Sequence, residues 1–190
     1  MARTFSDMVP LGTAAPAFDL PTANPAVDGR PGETRSLDDF ADAEALVVAF
    51  ICNHCPFVHA VEDRLVALGR DYAPKGVQVV GICSNDAEQY PADSFPAMAE
   101  RAEAKGYPFP YLHDESQAVA RAYDAVCTPD FFVYDRDRTL AYRGRLDDGR
   151  PGQPATTTDL RDALEALLQT GAVPGEQIPS MGCNIKWKPS

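Results

Sequence analysis

Two thiols spaced two residues apart, in Cys52-Asn53-His54-Cys55-Pro56, are the part of this sequence best equipped for chemistry. At that spacing a disulfide exchange begun by one sulfur can be finished by the other. The first forms a mixed disulfide, the second attacks it, and two electrons change hands. The attacking sulfur must be a thiolate, and the unpaired N–H groups and positive dipole end of a helix N-terminus favour that form. His54, directly before the second thiol, supplies positive charge or a hydrogen bond to Cys52, which stabilises the reduced state and makes the pair more oxidising than an apolar residue would. The same spacing is half of a zinc site. With five Cys and three His the chain has no second Cys-x-x-Cys and no His pair to complete one. Redox chemistry is therefore preferred to metal binding or to two buried thiols acting as small hydrophobes.

The neighbouring sequence supplies the elements that such chemistry requires. Residues 46–51, LVVAFI, form an apolar run of strand length, as expected for a strand buried on both faces at the middle of a sheet. After Cys55 the period changes, with Val58, Val61, Leu65 and Leu68 on one side and Glu62, Asp63, Arg64 and Arg70 on the other. That pattern predicts an amphipathic helix with Pro56 in its first turn, ended by Pro74 and Gly76. Residues 77–82, VQVVGI, read as a second buried strand, so strand, helix and strand make a right-handed βαβ unit with a parallel pair. Ligand-facing groups in such a unit sit at the carboxyl ends of the strands, where Cys52 and Cys83 both fall. Cys83 is accordingly a candidate accessory thiol, with a buried structural role as the alternative.

Elsewhere the signals are local. Residues 1–36 read as loops and short strands, with a hairpin closing through Asp28-Gly29-Arg30-Pro31-Gly32 and a capped helical turn after Ser36. A helical pattern follows Phe95, and Tyr107-Pro108-Phe109-Pro110-Tyr111-Leu112 reads as a connection. Ser116 caps a short helix, residues 131–134 and 139–143 form a hairpin, and Thr157 or Thr158 caps a last helix with Leu160, Leu164, Leu167 and Leu168 on one face. The expected organisation is one domain over residues 1–170 and a tail over 171–190. The tail holds Cys183 and the only tryptophan, Trp187. From Thr170 to Cys183 an extended chain spans about 45 Å, against a radius of gyration of roughly 16 Å for a compact chain of this length. Cys183 can thus reach the cysteine pair and resolve or block it, or pair with Cys83 or Cys127; a docked structural tail held by Ile185 and Trp187 is the preferred reading.

Composition narrows the partners. Twenty-eight acidic residues against seventeen basic ones give a net charge of −11, which disfavours nucleic acid or an anionic membrane surface. The N-terminal residues lack a basic segment followed by an apolar one, so a cytosolic location is expected, with thiols facing a reducing pool. His59, four residues after Cys55 on the same helix face, is a candidate proton-exchange partner or ligand. His59 or His113 would have to complete any Cu(I) or zinc site with the two thiols.

Four stretches together resemble the thioredoxin-like superfamily, in its branch of alkyl hydroperoxide reductase/thiol-specific antioxidant proteins and thiol-disulfide reductases. They are Gly12-Thr13-Ala14-Ala15-Pro16-Ala17-Phe18-Asp19-Leu20, the Cys52–Pro56 motif, Tyr111-Leu112-His113-Asp114 and Thr128-Pro129-Asp130-Phe131-Phe132-Val133-Tyr134-Asp135. The resemblance covers about residues 9–170. It implies an α/β thioredoxin-like fold, a central mixed sheet flanked by helices, with an N-terminal extension and a C-terminal tail. It also implies a cis peptide before Pro129, packed beside the thiols, with Thr128 and Pro129 binding the backbone of a substrate and Cys127 bordering the site. The expected activity is thiol-disulfide exchange without a metal or other cofactor, between a protein or small-molecule disulfide and a thiol electron donor. Cys52 is expected to attack, Cys55 to resolve and His54 to set the poise. Peroxide reduction and a non-enzymatic metal-binding or redox-sensing module are the alternatives. The chain departs from the pattern at Ile51, where thioredoxins carry tryptophan. It departs again at Val48 and Cys52, where peroxiredoxins place a proline and a threonine ahead of the reactive cysteine.

Overall fold

A computed structural model describes residues 3–24, 27 and 33–189. Its centre is a five-stranded mixed sheet whose strands run, from edge to edge, through residues 111–113, 77–83, 45–50, 130–134 and 140–144. The middle strand β4 (Ala45–Phe50) is buried at every residue, as its unbroken apolar run requires. It pairs in parallel with β5 (Val77–Cys83) through the helix α1 (Pro56–Tyr72), giving the expected βαβ unit. The Ala73–Lys75 turn and Gly76, at φ +80°, end that helix.

On its other side β4 meets β8 (Asp130–Tyr134) in antiparallel register, and β8 turns back into β9 (Leu140–Gly144). The helix α2 (Phe95–Lys105) lies between β5 and β6 (Tyr111–His113). The short extended piece expected at 107–112, with prolines unsuited to a central strand, ends in this paired strand at the edge of the sheet. Both prolines precede Tyr111, so β6 donates freely to β5 as a parallel edge strand. The short helix α3 (Ala118–Ala122) departs from expectation in its cap. Asp114 Oδ2 accepts from the Ala120 N–H at 2.9 Å, the Ser116 hydroxyl accepts only from Ala118, and Gln117 stands at the N-cap with φ 63°.

Apolar side chains pack on both faces of the sheet. One face carries α1 and α4 (Asp159–Thr170), including Val58, Leu65, Leu68, Leu160 and Leu164; the other holds Phe18, Phe40, Phe50, Tyr123 and Phe132. Glu62, buried on α1, accepts two hydrogen bonds from the Arg101 guanidinium, at 2.8 and 2.6 Å, and one from the Tyr107 hydroxyl at 2.7 Å. Those bonds offset the cost of burying the carboxylate and lock α1 against α2.

Two smaller sheets complete the fold. The strands β2 (Asp19–Pro21) and β3 (Thr34–Ser36) pair antiparallel and lead into the helical turn Leu37–Phe40; the closing turn expected at 28–32 lies outside the described residues. The tail forms β10 (Met181–Asn184), set between β1 (Arg3–Phe5) and β7 (Cys127–Thr128). Cys183 stands opposite Arg3 on one side and Thr128 on the other. No helix among the described residues is long and apolar enough to cross a membrane.

Candidate active site

Ile51 closes the β4 ladder through its N–H to the Ile82 carbonyl, and the chain leaves the sheet at Cys52. Three residues later Cys55 is the N-cap of α1, extended at φ −79°, with Pro56 following and its carbonyl accepting from the His59 N–H. The strand-to-helix turn thus sets both sulfurs against a single residue. The Cys52 sulfur lies 3.3 Å from the Thr128 hydroxyl and the Cys55 sulfur 3.2 Å from the Thr128 carbonyl oxygen. The Thr128–Pro129 peptide is cis, as the resemblance implies. Asp130 follows, wholly buried against Arg143 with Nη2 to Oδ2 at 2.9 Å, and the Arg143 guanidinium lies over the Phe132 ring. Breaking such a buried pair by removing one partner typically costs about 3–5 kcal/mol, so the start of β8 and the proline before it are firmly held.

Two arrangements of one shared proton satisfy these sulfurs. With the charge on Cys55, that sulfur accepts hydrogen bonds from the Cys52 thiol, the Cys183 thiol and the N–H groups of Val58 and Cys183. Against the opposing effect of burial, these donors bring its pKa down to about 5. Cys52 is correspondingly pushed well up, by its hydrogen bond to Cys55, by burial and by the negative charge of Asp93. With the charge on Cys52, Cys55 can donate to the Thr128 carbonyl and the Thr128 hydroxyl can donate to Cys52. One proton transfer between the sulfurs interconverts the two, and the Cys55 sulfur against the Thr128 carbonyl oxygen has the geometry of a donor thiol.

Asp93 is the group that the sequence did not reveal. Its buried carboxylate accepts from the Asn53 N–H at 2.7 Å, from the Asn85 side chain at 2.8 Å and from His54 Nδ1 at 2.6 Å. Burial opposes its ionisation, but the His54 and Asn85 hydrogen bonds outweigh that and keep it below the usual carboxylate range. His54 stacks on Tyr90 at 5.1 Å between ring centroids. In Pro91-Ala92-Asp93-Ser94 an acidic residue just before a helix reads as a helix-start residue, so no sequence signal sets it apart. Cys52, His54 and Asp93 place one ligand atom each within 4.8 Å of one another, the one such group of donors found among the described residues.

The other candidates are placed differently. His59 turns its Nε2 to the Asn53 carbonyl at 2.5 Å, and the His113 ring lies 6.0 Å from that of Phe95, so neither joins the thiols in a metal-ligating group. Cys83 is fully buried at the end of β5, where desolvation and the Asp93 charge keep its thiol protonated. Cys127 is buried beside Thr128 with its sulfur 3.8 Å from the Pro129 carbonyl, and adjacent residues of a strand point to opposite faces. The Thr128 backbone, assigned by resemblance to a substrate, is paired with the chain's own Cys183. Ile185 is buried and anchors the tail, while Trp187 lies at the surface under Arg121, 4.7 Å from its ring.

A profile of the AhpC/TSA family matches residues 11–143, spanning β2 through β9 and hence both thiols, Asp93 and the cis proline. The chain belongs to this family. Its tail strand lies beyond the matched region, yet whole-chain relatives exist among solved structures. An uncharacterized conserved protein from Geobacillus kaustophilus is 54% identical, with a TM-score of 0.92 over 100% of this chain and 98% of that one. A hypothetical protein from Sinorhizobium meliloti 1021 is 47% identical, with a TM-score of 0.92 over 98% and 100% of the two chains. The thioredoxin domain of a thiol-disulfide oxidoreductase from Bacteroides vulgatus, 19% identical, matches with a TM-score of 0.54 over 72% and 91%, a likeness of fold. Comparison with curated proteins finds no match. This AhpC/TSA member has the central mixed sheet and flanking helices of the thioredoxin-like fold.

Proposed function

We propose that this AhpC/TSA member is a thiol-disulfide oxidoreductase that cycles Cys52 and Cys55 between dithiol and disulfide. The observation that carries the reading is the attachment of both sulfurs to Thr128 at the N-terminus of α1, 3.3 and 3.2 Å from its hydroxyl and carbonyl oxygens. Family membership supports thiol-based redox chemistry in general. The proton relation of the two sulfurs supports the dithiol form of it.

Catalysis proceeds from the arrangement with the shared proton on Cys55, which donates to the Thr128 carbonyl while the Cys52 thiolate accepts from the Thr128 hydroxyl. This thiolate attacks one sulfur of a substrate disulfide, and the other sulfur leaves as a thiolate that takes up a proton. Cys55 then attacks the Cys52 sulfur, the Cys52–Cys55 disulfide forms, and the second substrate sulfur departs reduced. A thiol donor reverses the sequence and returns the enzyme to its dithiol. His54 and Asp93 act through Cys52: the Asp93 charge disfavours the Cys52 thiolate, and the His54 hydrogen bond offsets it.

Insulin reduction by the dithiothreitol-reduced protein tests this directly. Cys52→Ser and Cys55→Ser should each lower the rate by at least about a hundredfold, since the first removes the attacking sulfur and the second leaves the Cys52 mixed disulfide unresolved. Parent-like rates in both variants would overturn the assignment.

A further inference from the structure

The tail brings a third sulfur to the pair. Cys183 is buried beside Cys55, whose pKa its thiol and N–H lower, and its backbone occupies the edge of Thr128, the residue whose carbonyl oxygen lies 3.2 Å from the Cys55 sulfur. This contact is built rather than incidental. A Cβ on Gly182 would stand 2.0 Å from the Thr128 carbonyl oxygen, so only a residue without a side chain lets β10 approach so closely. Beyond Cys183 the tail is clamped by the Ile185 N–H on the Val126 carbonyl, the Lys186 N–H on Asn85, the Asp86 N–H on the Lys186 carbonyl and the buried Gln117 amide on that same carbonyl. On the other side β1 pairs with it, and Ser180 bonds to Ser6 and Gly144.

We propose that Cys183 is a third redox thiol of the site, and that it exchanges with the Cys52–Cys55 disulfide to give a Cys55–Cys183 disulfide. The inference rests on the reading of Cys52 and Cys55 as a redox pair. In this step the Cys183 sulfur attacks the Cys55 sulfur, the Cys52–Cys55 bond breaks, and Cys52 leaves with the proton that Cys183 gives up. One disulfide is exchanged for another, so the step needs no oxidant beyond the substrate disulfide that first oxidised the pair. In the reduced protein Cys183 is held back, its thiol raised to about 12 by burial, by its hydrogen bond to Cys55 and by the Cys55 charge. Oxidation of Cys55 removes the last two causes together. The product leaves Cys52 as the free thiol of the three, beside Asp93 and His54. The tail strand thereby occupies the Thr128 backbone edge, with its cysteine beside the resolving sulfur of Cys55.

Disulfide mapping decides this on the full chain. The reduced protein is treated with one equivalent of diamide, quenched in acid, blocked with a maleimide and digested without reductant for mass spectrometry. Wild type should yield a Cys55–Cys183 cross-linked peptide together with the Cys52–Cys55 intrapeptide disulfide, and Cys52→Ser should yield the Cys55–Cys183 link as its main product. The proposal is overturned if wild type contains only the Cys52–Cys55 bond, and equally if folded Cys52→Ser gives only intermolecular dimers or no link. Cys183→Ser separates this from the parent reading: it should still form Cys52–Cys55, and its failure to do so would sink the redox pair itself. The wild-type measurement stands even if a variant does not fold.

Discussion

A single proton shared by Cys52 and Cys55 is what the surrounding side chains act upon. Cys55 at the helix start collects the donors, whereas Cys52 faces the buried carboxylate of Asp93. Among the described residues His54 is the cation-forming group bonded to that carboxylate, so its effect on the thiols runs through Asp93. Replacing His54 by Ala leaves the Asp93 charge uncompensated, which destabilises thiolate at Cys52 and with it the reduced protein. We predict that His54→Ala lowers the reduction potential by roughly 30 mV, a tenfold change in the exchange constant with glutathione. An unchanged potential in a glutathione redox buffer would reduce His54 to a packing role against Tyr90. At this scale the sequence was informative about the sulfurs and His54, which are adjacent in the chain. It was silent on Asp93, because nothing local distinguishes a helix-start acid that turns outward from one that turns back onto a loop forty residues earlier.

At the scale of elements, the strand-helix-strand unit delivers the thiols and the tail covers them. The unit was legible because each piece carries its own period: six apolar residues for β4, three- and four-residue spacing for α1, a second apolar run for β5. The β8–β9 hairpin was legible for the same reason. The tail strand was not, because β10 owes its place to pairing with β1 and β7, whose sequences lie far from it and are too short to show a pattern. Gly182 is the residue that makes the pairing possible, and in sequence it is one glycine among thirteen. Gly182→Ala forces a methyl group against the Thr128 carbonyl, and such overpacking typically costs about 1–3 kcal/mol. The predicted outcome is a lower denaturant midpoint together with an upward shift of the Cys55 titration, since the Cys183 donors move away. An unaltered midpoint and titration would mean that β10 does not hold its observed register in solution.

For the whole molecule, the first and last described strands are brought to the site. The first described strand pairs with the last one, and the last pairs with the residue before the cis proline, so β1, β10 and β7 form a sheet of their own beside the central one. Cys52 is 2% exposed and Cys55 is completely buried, so both thiols lie behind the chain's own tail. Beside this cover, a groove lined by Phe5, Phe57, Pro129, Ile178 and Met181 opens next to the cis proline. Family membership and the sheet order fit the thioredoxin-like expectation drawn from motifs. The covering strand changes what that expectation means, because the backbone edge of Thr128 is already paired.

The central claim is that sulfurs of this site exchange two electrons as a disulfide, and equilibration with glutathione buffers of graded ratio tests it most directly. Each sample is acid-trapped, alkylated and weighed as the intact protein. The account predicts a single two-electron transition, with loss of two alkylatable thiols that map to Cys52 and Cys55 or to Cys55 and Cys183, absent from Cys55→Ser. Five alkylatable thiols at every ratio, from the most reducing buffer to the most oxidising, would contradict it.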